Sequence, residues 1–277
     1  MSAISLTSGM RQNLFSLQQT NSMMDKTASR LATGKKVQTA LDDPINFFAA
    51  QGHNQRAGDL AQRKDQMGEA IQTIKAANNG IEAITDLISS AKALANSANA
   101  IDVCTTASSQ NATDRSALAD QFNEVMNQID TLAADSGYKG INLLASGSLS
   151  VEYDESGDSS STVTGFNATA SGQSIADAGN LWVNATDVSK STGELDTARD
   201  NLRTETKKLA TNLSTITTRQ DFTTKMINTL DDGATALTNA DMNEESANML
   251  MLQTRQALGT SSLSMASQAA QSVLRLF

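Results

Sequence analysis

One histidine, one cysteine, one proline and one tryptophan in 277 residues leave little material for most kinds of chemistry. With His53 as the sole imidazole, a Ser-His-Asp arrangement, a pair of histidine metal ligands or a histidine relay would each have to pass through it. It lies between Gly52 and Asn54 in a helical stretch, with no nucleophile or orienting group beside it. A solvated or partly packed helix residue is the stronger reading. Cys104 alone makes neither an intrachain disulfide nor a thiolate metal site, and reads as a small residue near a helix end. No Gly-Lys-(Ser/Thr) phosphate loop, nucleophile elbow or His-Glu-x-x-His occurs. The adjacent carboxylates Asp42-Asp43, Asp231-Asp232 and Glu244-Glu245 point in different directions on a helix, so capping and solubility suit them better than a shared cation. The expectation is a chain with no catalytic residue, no cofactor and no metal.

Basic charge is also scarce. A net charge of −9 and a pI near 4.6 do not suit a nucleic-acid partner, which requires a basic face against the phosphates. Apolar runs approaching the roughly 20 residues of a membrane helix are absent, so no membrane span is expected. The opening MSAISLTSGMRQ lacks the basic start, apolar centre and cleavage site of a secretory signal. Aromatics are 4% and apolar residues 39% of the chain, short of what a compact globular core uses. Cohesion must come from narrow apolar seams between helices.

With proline confined to position 44, long helices can run uninterrupted, and the apolar residues are spaced for them. Met10, Leu14, Leu17, Met24 and Leu31 follow steps of three and four, with Asn21 as an interruption. After Pro44 a pattern including Leu60, Met67, Ile71, Ile74, Ile81 and Ile88 runs to about residue 99. If continuous it measures about 80 Å. Gly52, Gly58, Gly68 and Gly80 weaken that helix, each by roughly 1 kcal/mol relative to alanine, and predict bends or a local break. Residues 101–113 read as a turn. Asp114 then starts a helix with Leu118, Phe122, Val125, Ile129 and Leu132 on one side. Residues 145–190 turn rich in Gly, Ser, Thr, Asn and Asp; LSVEY, STVTGF and LWVNA predict small strands and turns, with Trp182 packing them against the helices. From residue 194 a returning helix carries Leu195, Leu202, Leu209, Leu213, Ile216 and Ile227. The last seam holds Met249, Leu252, Leu263, Ala266, Ala270, Val273 and Phe277, with Gln256 and Gly259 as polar or small interruptions.

The first helix meets the long one at residues 31–50, LATGKKVQTALDDPINFFAA. Gly34 can close a helix C-terminus with Lys35 and Lys36 on the negative end of its dipole, and Asp43 before Pro44 is a helix start. The stretch resembles the joint of bacterial flagellins, L-x-(S/T)-G-x-(R/K)-(I/V) followed by A-x-D-D-x-A. Pro44 and Phe47-Phe48 depart from it, standing where the family usually has small residues. YKGINLL, residues 138–144, is similar to the family's mid-chain Gly-x-(K/R)-(G/S)-x-N-L-L loop, and residues 247–277 resemble its C-terminal segment down to the V-L-x-L-F ending. These matches fall in family order at both ends and in the middle.

The resemblance implies a mainly α fold: a long antiparallel helical rod or coiled-coil bundle with paired N- and C-terminal helices and a small β-hairpin region. The corresponding divisions are residues 1–43 and 241–277 for a filament core, 44–136 and 194–240 for rod helices, and 137–193 for the β region. The implied function is that of a structural subunit, polymerising with copies of itself into the flagellar filament outside the cell after export by the flagellar apparatus. An export chaperone and cap and hook-associated proteins are the implied partners. A hook–filament junction protein or another coiled-coil interaction module is the alternative. The terminal seams Met10 to Leu31 and Met249 to Phe277 are then expected to pair and to pack against neighbouring subunits.

Overall fold

The computed structural model describes residues 8–102 and 110–274. Five α helices and one two-stranded hairpin are present among them, in the order α1 (Ser8–Thr33), α2 (Pro44–Ala100), α3 (Gln110–Asp135), β1 (Ser148–Glu152), β2 (Ser160–Thr164), α4 (Ala185–Thr238) and α5 (Met242–Leu274). The fold is mainly α. Chain contacts divide it into one unit of residues 1–55 with 229–277 and another of residues 56–228. Cys104 and part of the expected turn at 101–113 lie outside the described residues.

In the unit of residues 56–228, α2, α3 and α4 share one buried cluster. Lys92 Nζ reaches Asp196 Oδ1 at 2.6 Å and Gln220 Nε2 donates to the Lys64 carbonyl at 3.3 Å, so α4 runs antiparallel to α2. Arg115 meets the Ile101 carbonyl at 2.8 Å near the start of α3, while Ser136 lies close to Gly80 at its end, so α3 is antiparallel to α2 as well. Leu60, Met67, Ile74, Ile81, Ile88, Phe122, Ile129, Leu195, Leu202, Leu209 and Ile216 are buried. Ile71, Leu118, Val125, Leu132 and Leu213 pack half-buried on its margin, and Ile227 is half-buried. Three of the seven buried positions on α3 are alanine, in the series Ala112, Arg115, Ala119, Phe122, Met126, Ile129 and Ala133. Small residues let adjacent helices approach, which size-based reading of the sequence does not anticipate.

Three local features differ from the sequence expectation, the first being that α3 begins at Gln110, so Asp114 lies inside the helix and does not start it. The four glycines do not break α2, which is one 57-residue helix; Gly52 and Gly58 face open space, whereas a Cβ at Gly80 would stand 2.7 Å from Leu144 Cδ1. Gly80 is therefore a close-approach site, where its helical cost is offset by packing of the loop above it. The returning helix α4 starts at Ala185, within the Ser/Thr-rich stretch read as loop, because Trp182 is fully buried and donates its indole N–H to Ser191 Oγ at 3.1 Å, securing the first turns. Strands β1 and β2 pair antiparallel with Leu149 opposite Val163, both buried. In the loop before them, Asn142 Nδ2 donates to the Ala133 and Ala134 carbonyls at 2.8 and 2.9 Å, closing the end of α3. Lys139 and Gly140 take left-handed φ values of 48° and 82° to bring it there.

Candidate assembly surface

The unit of residues 1–55 with 229–277 is held by backbone as much as by side chains. Gly34, at φ 69°, ends α1 with its N–H on the Arg30 carbonyl at 2.8 Å. The chain then forms a short antiparallel bridge to the α4–α5 joint: Lys36 N–H donates to the Thr238 carbonyl at 2.8 Å, and Ala240 N–H to the Gly34 carbonyl at 2.9 Å. Asp43 Oδ1 caps α2 by accepting Asn46 N–H at 3.1 Å, and Asp241 Oδ1 caps α5 by accepting Asn243 N–H at 2.8 Å. Asp42 turns the linker inward, accepting the Thr39 and Gln38 N–H groups. Those backbone donors, Thr39 first, hold its carboxyl below the usual range, with smaller help from the Thr39 hydroxyl and Lys26.

This joint delivers α1 and α5 side by side. They pack along each other and run antiparallel, as three ties show: Arg30 Nη1 to Glu245 Oε1 at 2.7 Å, Gln256 Nε2 to Asn21 Oδ1 at 2.9 Å, and Asn13 Nδ2 to Ser262 Oγ at 3.3 Å. Among the expected seam residues, Met10 and Leu252 are buried, while Leu17, Met24, Leu31, Met249, Leu263, Ala266 and Ala270 are half-buried. Leu14 is 40% exposed, and Asn13 occupies the inward position beside it. Phe277 and the side chain of Val273 lie outside the described residues. The inward stripe of α1 is thus Met10, Asn13, Leu17, Thr20, Met24, Thr27 and Leu31, alternating steps of three and four with a polar residue at every second place. Sequence reading passed over the polar members because it searched for apolar ones; the interruptions at Asn21, Gln256 and Gly259 were the available signal. A Cβ on Gly259 would stand 2.7 Å from Leu17 Cδ2, so the glycine makes room for the leucine opposite.

Such a pair buries little. The only buried apolar residues described in this unit are Met10, Val37, Ala50, Leu230, Ala234 and Leu252. Its exterior is the reverse. Of the thirteen large apolar residues exposed among those described, all but Leu181 and Phe222 belong to it, including Phe15 at 69%, Leu250 at 66% and Leu258 at 65% on α1 and α5, and Leu41, Ile45 and Phe48 at the joint. Scattered apolar residues need no explanation, but a concentration of this kind along two paired helices makes them a candidate interaction surface. His53 is half-exposed on α2 near Gly233. Among the described residues no cluster of His, Cys, Asp or Glu could hold a metal, and no helix is long and apolar enough to cross a membrane.

The family model described as "Bacterial flagellin N-terminal helical region" matches residues 4–148, and that described as "Bacterial flagellin C-terminal helical region" matches residues 192–277. The chain is 30% identical to "Flagellin FljM" of Caulobacter vibrioides over 281 aligned positions, covering 100% of this chain and 99% of the relative. It is 25% identical to "Flagellin" of Brucella melitensis, again over 100% of this chain and 99% of the relative. A solved structure, "Crystal structure of Bacillus cereus flagellin", is similar at a TM-score of 0.46 and 16% identity, covering 57% of this chain and 88% of that one.

Proposed function

Because the chain belongs to the bacterial flagellin family, we propose that it is a filament subunit that polymerises through the α1–α5 pair to build the flagellum used in swimming. The observation that carries this reading is the inversion of apolar surface in the unit of residues 1–55 with 229–277, where, among the described residues, six apolar ones are buried and eleven large ones are exposed. Ordering α1 and α5 costs roughly 1–2 kcal/mol of backbone entropy per residue, which so thin a seam does not offset alone. Repeating the same contact from copy to copy along a screw axis supplies the missing burial. Residues 1–43 and 241–277 form the inner wall of the polymer; segments 44–136 and 194–240 are its rod helices and 137–193 its β region.

In this reading the polymerisation residues are those of the α1 and α5 seams, and the buried positions of α2, α3 and α4 hold each subunit's folded body. The subunit leaves the cell through the flagellar export apparatus, with α1 and α5 unpaired in transit and an export chaperone holding the α5 seam. Cap and hook-associated proteins meet the filament at its ends. Its role is structural, with no catalysis. The test is a truncation lacking residues 264–277. It should keep the circular dichroism of the parent subunit's central helices yet fail to elongate filament seeds; normal elongation would overturn the proposal, and loss of all helicity would assign α5 to the subunit's own core instead.

A further inference from the structure

Methionine is distributed unevenly in this chain. Of the 11 methionines, three lie in α1 and four in α5. The contrast in exposure is sharper. Met23, Met242, Met251 and Met265 are 44%, 47%, 44% and 62% exposed, whereas in the unit of residues 56–228 Met67 and Met126 are 0% and 2% exposed and Met226 is half-buried. Among the described residues, every exposed methionine is therefore on α1 or α5. Met23 and Met251 both line a groove between those helices, together with the Arg30–Glu245 ion pair. Leu258 lines the adjoining groove with Met23.

We propose that these four methionines form an oxidation site that decides whether a free subunit can assemble, with hydrogen peroxide as the oxidant. The inference rests on the assembly reading above and adds its chemical vulnerability. A lone pair of the thioether sulfur attacks one oxygen of hydrogen peroxide, the O–O bond breaks, and the proton of the transferred oxygen passes to the departing hydroxide, which leaves as water. Sulfur is oxidised to the sulfoxide as the peroxide is reduced. The product exchanges a flexible apolar side chain for a chiral one with a strong hydrogen-bond acceptor, on a surface that also includes Leu14, Phe15, Leu250 and Leu258. Burying that acceptor against an apolar copy leaves it without a donor. Once assembled, the same sulfurs are covered, so a filament already built withstands the oxidant that disables the subunits waiting to join it.

The test compares peroxide-treated free subunit with peroxide-treated filament by peptide mapping of each methionine, followed by seeded elongation. In the free subunit Met23, Met242, Met251 and Met265 should oxidise well before Met67 and Met126, and elongation should slow by about tenfold or more, as expected for polar groups placed in an apolar contact. In filaments the same four should lag. Reduction by methionine sulfoxide reductases should restore elongation. In a variant with all four changed to leucine, peroxide should leave elongation at that variant's own untreated rate, which separates this site from damage elsewhere. Undiminished elongation with the four sulfoxides in place would overturn the inference and leave assembly standing, as would equal oxidation of filament and subunit. Failure of the untreated parent to elongate is a different result, which overturns the assembly reading itself.

Discussion

Asn21 and Gln256 are separated by 235 residues in the chain and joined by a 2.9 Å hydrogen bond between their side chains. Each breaks the apolar spacing of its own helix, and each break answers the other. Together with Leu17 against Gly259 and Arg30 against Glu245, they fix which turn of α1 meets which turn of α5. An apolar seam alone would slide by a heptad at little cost, and a matched polar pair discourages the slide. Replacing Asn21 or Gln256 singly by alanine should lower the temperature at which filaments dissociate. The double variant should lose less than the sum of the two, with a coupling of about 0.5–1 kcal/mol.

Gly259→Val offers a steric version of the same test. Its side chain would enter the space of Leu17, so elongation should fail or slow. Adding Leu17→Ala should restore part of it, since the pair then conserves volume. Recovery in the double variant is the measurement that assigns the effect to this contact rather than to α5 alone.

Burial ranks the substitutions within residues 56–228. Ile129 is fully buried among α2, α3 and α4, while Leu132, one turn on, is half-buried at the margin. Ile129→Asp should cost several kcal/mol as an unpaired buried polar group, and Leu132→Asp distinctly less. Urea unfolding of the free subunit measures both.

Arg115 is 1% exposed and donates through Nε to the Trp182 carbonyl at 2.7 Å and through Nη1 to the Ile101 carbonyl at 2.8 Å. Methionine in its place would fill similar volume but leave both carbonyls short of a donor, costing about 1–3 kcal/mol. Because Trp182 is the only tryptophan, its fluorescence reports the loosening directly: Arg115→Met should red-shift the emission before global unfolding.

Acid should weaken the subunit and base should affect one contact. Glu69 is held below its ordinary range chiefly by the Lys139 ammonium and then by the Tyr138 hydroxyl, Asp196 chiefly by Lys92, and Asp154 by Ser156 and the Ser159 N–H. A carboxyl depressed in the folded state stabilises above its unfolded pKa, and the gain vanishes as pH falls through the lower, folded one. Lys139 is raised by the same Glu69 pair, so its contribution is full below its unfolded pKa and lost as pH rises through the folded value. The melting temperature should form a plateau and fall below about pH 4. Glu69→Gln should shallow the acid limb and remove the Lys139 contribution at the alkaline end.

Helix identity was legible in the sequence wherever apolar spacing was long and proline absent, as at Met67, Ile74, Ile81 and Ile88. The joint at Gly34 and Asp43 was legible too, because a left-handed glycine and a capping carboxylate act locally. What was hidden depends on distant partners. Gly80 reads as a weak point until Leu144 is placed over it, and residues 185–193 read as loop until Trp182 is seen anchored to Ser191. On the assembly surface, the polar half of the α1 stripe was invisible to a search for apolar residues, since Asn13, Thr20 and Thr27 acquire meaning only from α5.

The ties between α1 and α5 close chain loops of 215, 235 and 249 residues. Contacts this remote form late, because local structure must condense before distant segments meet with useful frequency. Helix pairing at the ends is therefore the final event of folding, and it reports on everything between. On the assembly reading, a subunit whose intervening helices are misfolded cannot bring α1 and α5 together at a growing end with their turns matched. On that reading, order in time becomes a form of inspection: the two segments by which a subunit would join its neighbours are the last to be completed.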